Sequence, residues 1–376
     1  MTVAAEQAMR LALAQARRAS GRTHPNPPVG AVVFRGDRIL ASGRTQPPGG
    51  PHAEVVALRR AIRRHGVSAV RGASLAVTLE PCCHVGRTGP CTEAILDAGV
   101  ARVLVGHADP NPRVAGNGLR RLRRAGVRVE LGVLEQDCRA QHRGFVSVQR
   151  RGRPFVALKL AATLDGRIAT ASGESRWISG PAARAFVHRL RARSDAVWVG
   201  AETALADDPE LTARRDGRVV HRPVRILADS RLRVPPGARL YRDASGGRTV
   251  VLCGADAPAA RRRAVERTGA HLVSLPRDPD GLDLAAGLAA LAAHGVTEVL
   301  VEGGGRLAAS LLRRGLVDEL HWFVAPTLLG GDARPALGPL GVRRLAQAPR
   351  LESSRWRRLG PDWLLEGRVQ GAGEAT

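Results

Sequence analysis

Apolar strands and amphipathic helices alternate along this chain, and the alternation breaks once, at Gln149-Arg150-Arg151-Gly152-Arg153-Pro154, before resuming. Helices interleaved with strands cover the faces of a sheet, so each half is expected to be a layered α/β unit. In the first half the spacing of apolar residues predicts helices over 4–18, 53–65, 91–98 and 117–125. Strands are predicted over 29–34, 38–43, 74–79, 102–106 and 127–131, the first two joined across the polar turn Arg35-Gly36-Asp37. In the second half strands at 155–161, 195–200, 224–228, 249–253 and 297–301 interleave with helices at 181–192, 283–293 and 306–314. Strand patterns at 318–325 and 362–369 close the chain, so the second sheet is expected to be mixed. The short polar segment at 149–154 reads as the boundary between units 1–150 and 151–376. A length of 376 residues agrees, being too great for one ordinary core.

Composition narrows the class of partner. The formal net charge of +24 would draw phosphate polyanions. Yet 57 of the 58 basic residues are Arg, spread over every segment, and Lys159 is the single Lys. Aromatics are 3% of the chain, too few to interleave with bases as a stacking surface. Small phosphorylated ligands are therefore expected, and no nucleic-acid partner. No apolar run approaches the roughly 18 residues that cross a bilayer, so no membrane partner is expected either. The N-terminal segment is amphipathic, carries Glu6 and lacks a signal peptide's apolar core, which points to the cytoplasm. Five cysteines, two of them adjacent at Cys82-Cys83, favour metal or structural roles over a disulfide framework. The sequence assigns nothing to Cys138 or Cys253 and leaves homo-oligomers open.

The first half carries the sharpest chemistry. His52-Ala53-Glu54 opens a predicted helix, Pro81-Cys82 follows the strand that leads into Glu80, and Cys91 lies nine residues on. One imidazole and two thiolates make a three-ligand zinc site with a fourth position for water. That is the catalytic type, in which zinc lowers the pKa of water to about 7. Glu54 is placed as a proton shuttle and not as a ligand. Zinc deaminases carry H-x-E with P-C-x-x-C; here eight residues separate the cysteines. Taken singly, His-Ala-Glu is a solvated helix start and two cysteines are buried apolar residues or a structural pair. Their occurrence in order, each beside the right element, favours catalysis. Cys83 competes with Cys82, and the Pro-Cys pairing favours Cys82.

Four segments carry a family resemblance: THPNPPVGAVV (23–33), PHAEVVAL (51–58), TLEPCCHVGRTGPCTEAI (78–95) and DPNPRVAGNG (109–118). They closely resemble the deaminase half of bifunctional riboflavin biosynthesis proteins, whose wide cysteine spacing this chain shares. The resemblance implies a cytidine-deaminase-like three-layer fold. It implies that 2,5-diamino-6-ribosylamino-4(3H)-pyrimidinone 5′-phosphate loses its ring 2-amino group as ammonia. Glu54 would take the water's proton and pass it to the departing nitrogen. Asn26 would fix the pyrimidine, His84 and Arg87 the ribose phosphate, and Asp109 and Asn111 would face the same substrate. Each of these five also reads as an ordinary loop residue.

The second half resembles the reductase half of that family through LKLAATLDGRIATASGESRWISG (158–180), VGAETALADDPELTAR (199–214), ILADSRLRVP (226–235) and VEGGGRLAAS (301–310). Pro326-Thr-Leu-Leu-Gly-Gly331 adds a further match. A dihydrofolate-reductase-like fold is implied, with NADPH reducing the opened ribose to a ribityl chain. The glycines at 303–305 lie between a strand and a helix, where backbone N–H groups can approach a pyrophosphate. They do not form G-x-G-x-x-G, which disfavours a Rossmann domain. By resemblance Ala161, Trp177, Thr203, Asp207, Ser230 and the segment Gly304, Gly305, Arg306, Leu307, Ala308, Ala309 and Ser310 contact NADPH. Ser175, Arg191, Leu211, Arg214 and Glu302 contact substrate, the two arginines being suited to phosphate. Lys159 joins them on different grounds: it is the one Lys in an Arg-biased chain, sharing a strand face with the small Ala157 and Ala161.

Two other readings fit the same residues. One is a nucleotide or tRNA zinc deaminase with an unrelated C-terminal domain; the other is a zinc-containing nucleic-acid-binding protein.

Overall fold

The computed structural model describes residues 3–84, 89–111, 114–244, 248–278 and 281–371. The chain divides into two units, Met1–Gly152 and Arg153–Thr376.

The first unit runs α1 (Val3–Ala19), β1 (Gly30–Arg35), β2 (Arg38–Arg44), α2 (Ala53–His65), the one-turn α3 (Val67–Val70) and β3 (Ser74–Leu79). It continues with α4 (Cys91–Asp97), β4 (Arg102–His107), α5 (Asn117–Arg124), β5 (Arg128–Leu131), α6 (Glu135–Gln141) and α7 (Arg143–Arg151). Five strands lie in the order β2-β1-β3-β4-β5, with β3, β4 and β5 parallel and the β1–β2 hairpin antiparallel beside them. Alternate residues of each strand face opposite ways. Ala31, Val33, Leu75, Val77, Val103 and Val105 therefore pack under α2, α4 and α5, against Ala57, Ala61, Ile95 and Leu122. On the other face Val32, Phe34, Ala76 and Leu104 meet Ala8, Met9 and Ala12 of α1 and Cys138 of α6. The result is the expected three-layer α/β/α unit. Each fully buried Leu or Ile in these layers contributes about 1.5–3 kcal/mol.

One local reading is corrected. The sequence predicts a polar break from Gln149, but α7 runs to Arg151 and stops at Gly152, whose φ of 65° closes it. Arg150 and Arg151 sit in its last turn, where cations complement the exposed carbonyls.

The second unit begins with β6 (Phe155–Thr163), β7 (Arg167–Ala169), α8 (Pro181–Arg191), β8 (Ala196–Gly200), α9 (Ala201–Asp207), β9 (Ala213–Arg215), β10 (Arg218–His221) and β11 (Val224–Ala228). Next come β12 (Thr249–Gly254), α10 (Ala259–Glu266), β13 (His271–Leu275), the short β14 (Arg277–Asp278) and β15 (Gly281–Leu282), and α11 (Leu284–Ala293). The last elements are β16 (Glu298–Val301), α12 (Gly305–Arg313), β17 (Glu319–Ala325), β18 (Arg334–Pro335), β19 (Leu351–Leu359) and β20 (Asp362–Val369). Nine strands form one sheet in the order β13-β12-β11-β8-β16-β6-β17-β20-β19. The first seven are parallel, β20 runs antiparallel to β17 and β19 antiparallel to β20, so the sheet is mixed, as the strand-like C-terminal region predicts. One core lies under α11 and α12, centred on Trp198, Leu252, Leu288 and Leu311. The opposite face buries Val197, Leu227, Val251 and Leu300 with Ala201 and Ala204 of α9. The parallel strands β11, β8, β16 and β6 end side by side, and ligands of such sheets bind outside the carboxyl ends. No helix among the described residues is long and apolar enough to cross a membrane.

Candidate active sites

In the first unit three segments converge at one end of β3. His52 precedes α2 in extended conformation, with no capping bond of its own. Gly43 lets that helix start lie close to β2, because a Cβ there would sit 2.3 Å from the Ala53 carbonyl oxygen. Cys82 follows the end of β3, and Cys91 opens α4. His52 Nδ1 is 3.2 Å from Cys91 Sγ and 3.6 Å from Cys82 Sγ, and all three donor atoms lie within 4.8 Å of one another. Ligands held about 2.0–2.3 Å from a tetrahedral zinc stand roughly 3.5 Å apart. The three therefore fit such an ion. The Cys91 N–H donates to Cys82 Sγ at 3.3 Å. Hydrogen bonds from Cys91, opposed by burial and aided by His52, bring Cys82 down to about 4, while Cys91 is pushed up.

Glu54 lies on the first turn of α2 and is 4% exposed. Burial, with the Cys82 charge adding to it, pushes its carboxyl up to about 7. Asp109 is also buried, and burial raises it to about 6. Its Oδ1 accepts the Asn111 N–H at 2.8 Å. Asn26 is half-buried in a turn closed by its own N–H to Thr23 O at 2.8 Å and by the Thr23 hydroxyl to Asn26 O at 2.9 Å. His84 is exposed, Cys83 half-buried, and Arg87 lies outside the described residues. All five cysteines are free.

In the second unit Thr203, Ser230 and Glu302 follow the carboxyl ends of β8, β11 and β16, Lys159 and Ala161 lie within β6, and the remaining predicted residues sit on α8, α9, β9, α12 and the connecting segments. Glu302 follows β16 and is gripped by Arg191 from the end of α8, Nε to Oε1 at 2.5 Å and Nη2 to Oε2 at 2.8 Å. Arg191 Nη1 also donates to Thr212 O at 3.0 Å. Burial alone would raise Glu302, but the charge and hydrogen bonds of Arg191, with the nearby Lys159 and His188, together outweigh it and hold the carboxyl below its ordinary value. Lys159 is half-buried, its Nζ 5.9 Å from the Phe323 ring centroid, and burial lowers its pKa against the pull of Glu302. Arg214 bonds Glu210 and donates to Gly217 O at 3.0 Å. Both arginines thus spend donors on the protein itself.

The glycine turn is enforced by its neighbours. A Cβ on Gly303 would lie 3.1 Å from Val199 Cα, one on Gly304, at φ 71°, 3.1 Å from Thr203 Oγ1, and one on Gly305 2.9 Å from Ala336 O. This brings the start of α12 against Thr203, in a cradle that any side chain would fill. A pyrophosphate suits such a helix start, so the residues fit NADPH. Arg306 is exposed and donates to Glu202 at 2.9 Å. Trp177 stands 71% exposed, flanked by Arg184 with its guanidinium carbon 4.6 Å from the ring centroid. Ser175 and Asp207 are exposed; Ala161, Ser230 and Ser310 are half-buried.

The structure qualifies part of the expected contact set. Ala308 and Ala309 are fully buried, Leu307 nearly so, because they form the core face of α12. Leu211, at φ 55°, likewise buries its side chain in the core. The side chains of these four pack inward. One residue escaped the sequence reading altogether. Glu80, 3% exposed, accepts the backbone N–H groups of Asp109, Gly116, Gly118 and Leu119, the last two in the first turn of α5.

Comparison with known proteins follows the same division. Residues 2–107 match the model of the cytidine and deoxycytidylate deaminase zinc-binding region, and residues 154–365 that of the RibD C-terminal domain. The riboflavin biosynthesis protein RibD of Escherichia coli K12 is 41% identical over 374 residues, covering 96% of this chain and 98% of that protein. The chain belongs to the RibD family. Mycobacterium tuberculosis RibD is 40% identical over 364 residues, 96% of each chain. The Acinetobacter baumannii RibD structure superposes with a TM-score of 0.86 at 36% identity, covering 98% of this chain and 99% of that one. A Thermotoga maritima structure described as a diaminohydroxyphosphoribosylaminopyrimidine deaminase/5-amino-6-(5-phosphoribosylamino)uracil reductase gives 0.83 at 33% identity, over 97% and 99%. As a RibD-family enzyme the chain is bifunctional, a deaminase and a reductase of riboflavin biosynthesis. Its cofactors are Zn2+ and NADPH. This removes both rivals: the C-terminal half is not unrelated, and the zinc region is enzymatic.

Proposed function

We propose that residues 1–150 deaminate 2,5-diamino-6-ribosylamino-4(3H)-pyrimidinone 5′-phosphate, and that residues 151–376 reduce the product, 5-amino-6-(5-phosphoribosylamino)uracil, at its ribosyl chain. The observation that carries the first step is the His52/Cys82/Cys91 cluster with the buried Glu54 beside it. Zinc, when bound, makes a water acidic near neutral pH. Glu54, buried on the first turn of α2 beside that cluster, is placed to take that proton and hand it to the leaving nitrogen. Asn26 and the Asp109–Asn111 turn orient the pyrimidine, and His84 with Arg87 holds the phosphate. Enclosure of the carboxyl away from water keeps the proton on the reaction path.

In the second step NADPH, when bound, supplies the hydride. Gly304 and Gly305 would hold its pyrophosphate, with Thr203, Asp207, Ala161, Trp177, Ser230 and Arg306 along the rest of it. Lys159 donates to the opened sugar or its phosphate, and Glu302 keeps Arg191 aligned so that its remaining N–H groups meet the substrate beside Ser175 and Arg214. The scattered arginines and sparse aromatics support small phosphorylated pyrimidines as the ligands, with no nucleic-acid or membrane partner, in the cytoplasm. Supplying the diaminopyrimidinone phosphate to zinc-loaded protein and following ammonia and NADPH separately tests the scheme. Ammonia release needs no NADPH, and NADPH is consumed only after ammonia appears; NADPH loss without ammonia would refute the order.

A further inference from the structure

Glu80 sits where β3 ends and Pro81-Cys82 begins, and its own N–H donates to His107 O at 3.0 Å. Its carboxylate is buried and, among the described residues, filled by backbone N–H groups. Oε2 accepts the N–H groups of Asp109 and Gly116, both at 3.0 Å, and Oε1 those of Gly118 at 2.9 Å and Leu119 at 3.3 Å. A carboxylate offers about four lone-pair sites, and these four donors occupy them. The fit is tight at α5, because a Cβ on Gly118 would lie 2.1 Å from Pro81 O and 3.2 Å from Glu80 Oε1. Asp109 then passes the order on by accepting the Asn111 N–H at 2.8 Å. One side chain therefore ties the chain that leads into Cys82 to Asp109 and to the start of α5.

We propose that Glu80 is a positioning residue of the deaminase: it fixes the orientation in which Asp109 and Asn111 meet the pyrimidine, and so sets substrate affinity. The proposal rests on the reading that those two residues face the substrate. A Gln at this place keeps size and shape but turns one oxygen into an NH2 group. That group would confront two backbone N–H donors with no acceptor between them, and the loop must shift to relieve it. Partners behind metal ligands commonly alter metal affinity or activity 10–100-fold when changed, and a substrate-facing turn held in the same way should respond on a similar scale.

Steady-state deamination by full-length, zinc-loaded Glu80→Gln, Glu80→Asp and Asp109→Asn, read as ammonia release, tests this. Zinc content and the reductase rate serve as checks on folding. Glu80→Gln should raise KM about 10–100-fold with kcat changed less than about threefold and zinc retained. Glu80→Asp, which keeps the acceptors but retracts them, should fall between it and wild type and serves alone if the Gln variant does not fold. Asp109→Asn should also raise KM. Wild-type KM in Glu80→Gln overturns the proposal, and a raised KM in Asp109→Asn then leaves the substrate-facing reading standing. A raised KM in Glu80→Gln beside a normal Asp109→Asn overturns that reading, and the proposal with it. Zinc loss in both Glu80 variants makes Glu80 a support for Cys82, which also overturns it.

Discussion

Glu302→Gln removes the carboxylate from a buried pair and leaves the Arg191 guanidinium without its counter-charge. The side chains are 7% and 17% exposed, and two hydrogen bonds of 2.5 and 2.8 Å join them. Breaking one partner of such a pair costs about 3–5 kcal/mol, and the residual access of Arg191 favours the lower figure, about 3. A unit of this size loses roughly 2–4 °C per kcal/mol, so its Tm should fall by about 6–12 °C. The assay can be selective. All five Trp residues (Trp177, Trp198, Trp322, Trp356 and Trp363) lie in the second unit, so a fluorescence melt reads that unit alone. Ammonia release reads the first unit and should stay at the wild-type rate. The double variant Arg191→Met/Glu302→Leu should recover most of the stability, since apolar replacement of a buried pair is often neutral, but should not reduce substrate. A Tm shift under about 2 °C for Glu302→Gln, or a double variant no more stable than the single one, would refute the reasoning.

Three further outcomes follow from the two sites. Glu54→Gln should keep zinc and lose deamination by about 10²–10⁴-fold or more, with reduction of pre-deaminated substrate intact; metal loss would make Glu54 a ligand. Lys159→Arg should slow reduction nearly as much as Lys159→Ala, because a half-buried compact ammonium is not replaced by a planar fork; reductase turnover and KM at wild-type values would sink the idea. Chains cut between Gly152 and Arg153 should each fold, whereas a second unit begun at Phe155 should melt lower. It would take away the guanidinium that Arg153 sets on the buried Asp318 at 2.8 and 2.9 Å, leaving that carboxylate without this counter-charge; equal melting of the two would show that grip to be idle.

What the sequence disclosed depended on the range of each interaction. α2, β3, β11 and β20 were legible to the residue because their apolar periodicity is local and complete. α6 and α7 are not legible because both are short: α6 is mostly Glu, Gln, Asp and Arg around one Cys, and α7 ends in the polar run Gln149-Arg150-Arg151 that reads as a break. β19 escaped because it is exposed along nearly its whole length and shows no buried alternation. The candidate zinc cluster is readable because His52 and Glu54 share one helix start and Cys82 and Cys91 flank one loop. Glu80 is not, since its partners are backbone N–H groups 29 to 39 residues away, whose residue types carry no signal. The Arg191–Glu302 pair, 111 residues apart, explains a similar gap: both residues were singled out, but not for each other.

Removal and return of zinc on the full-length chain tests the central claim of two separable chemistries most directly. Ammonia release should fall to background on chelation and return with zinc, while NADPH oxidation by pre-deaminated substrate holds its rate throughout. Ammonia release that survives complete zinc removal, or two rates that fall and recover together, would contradict the account.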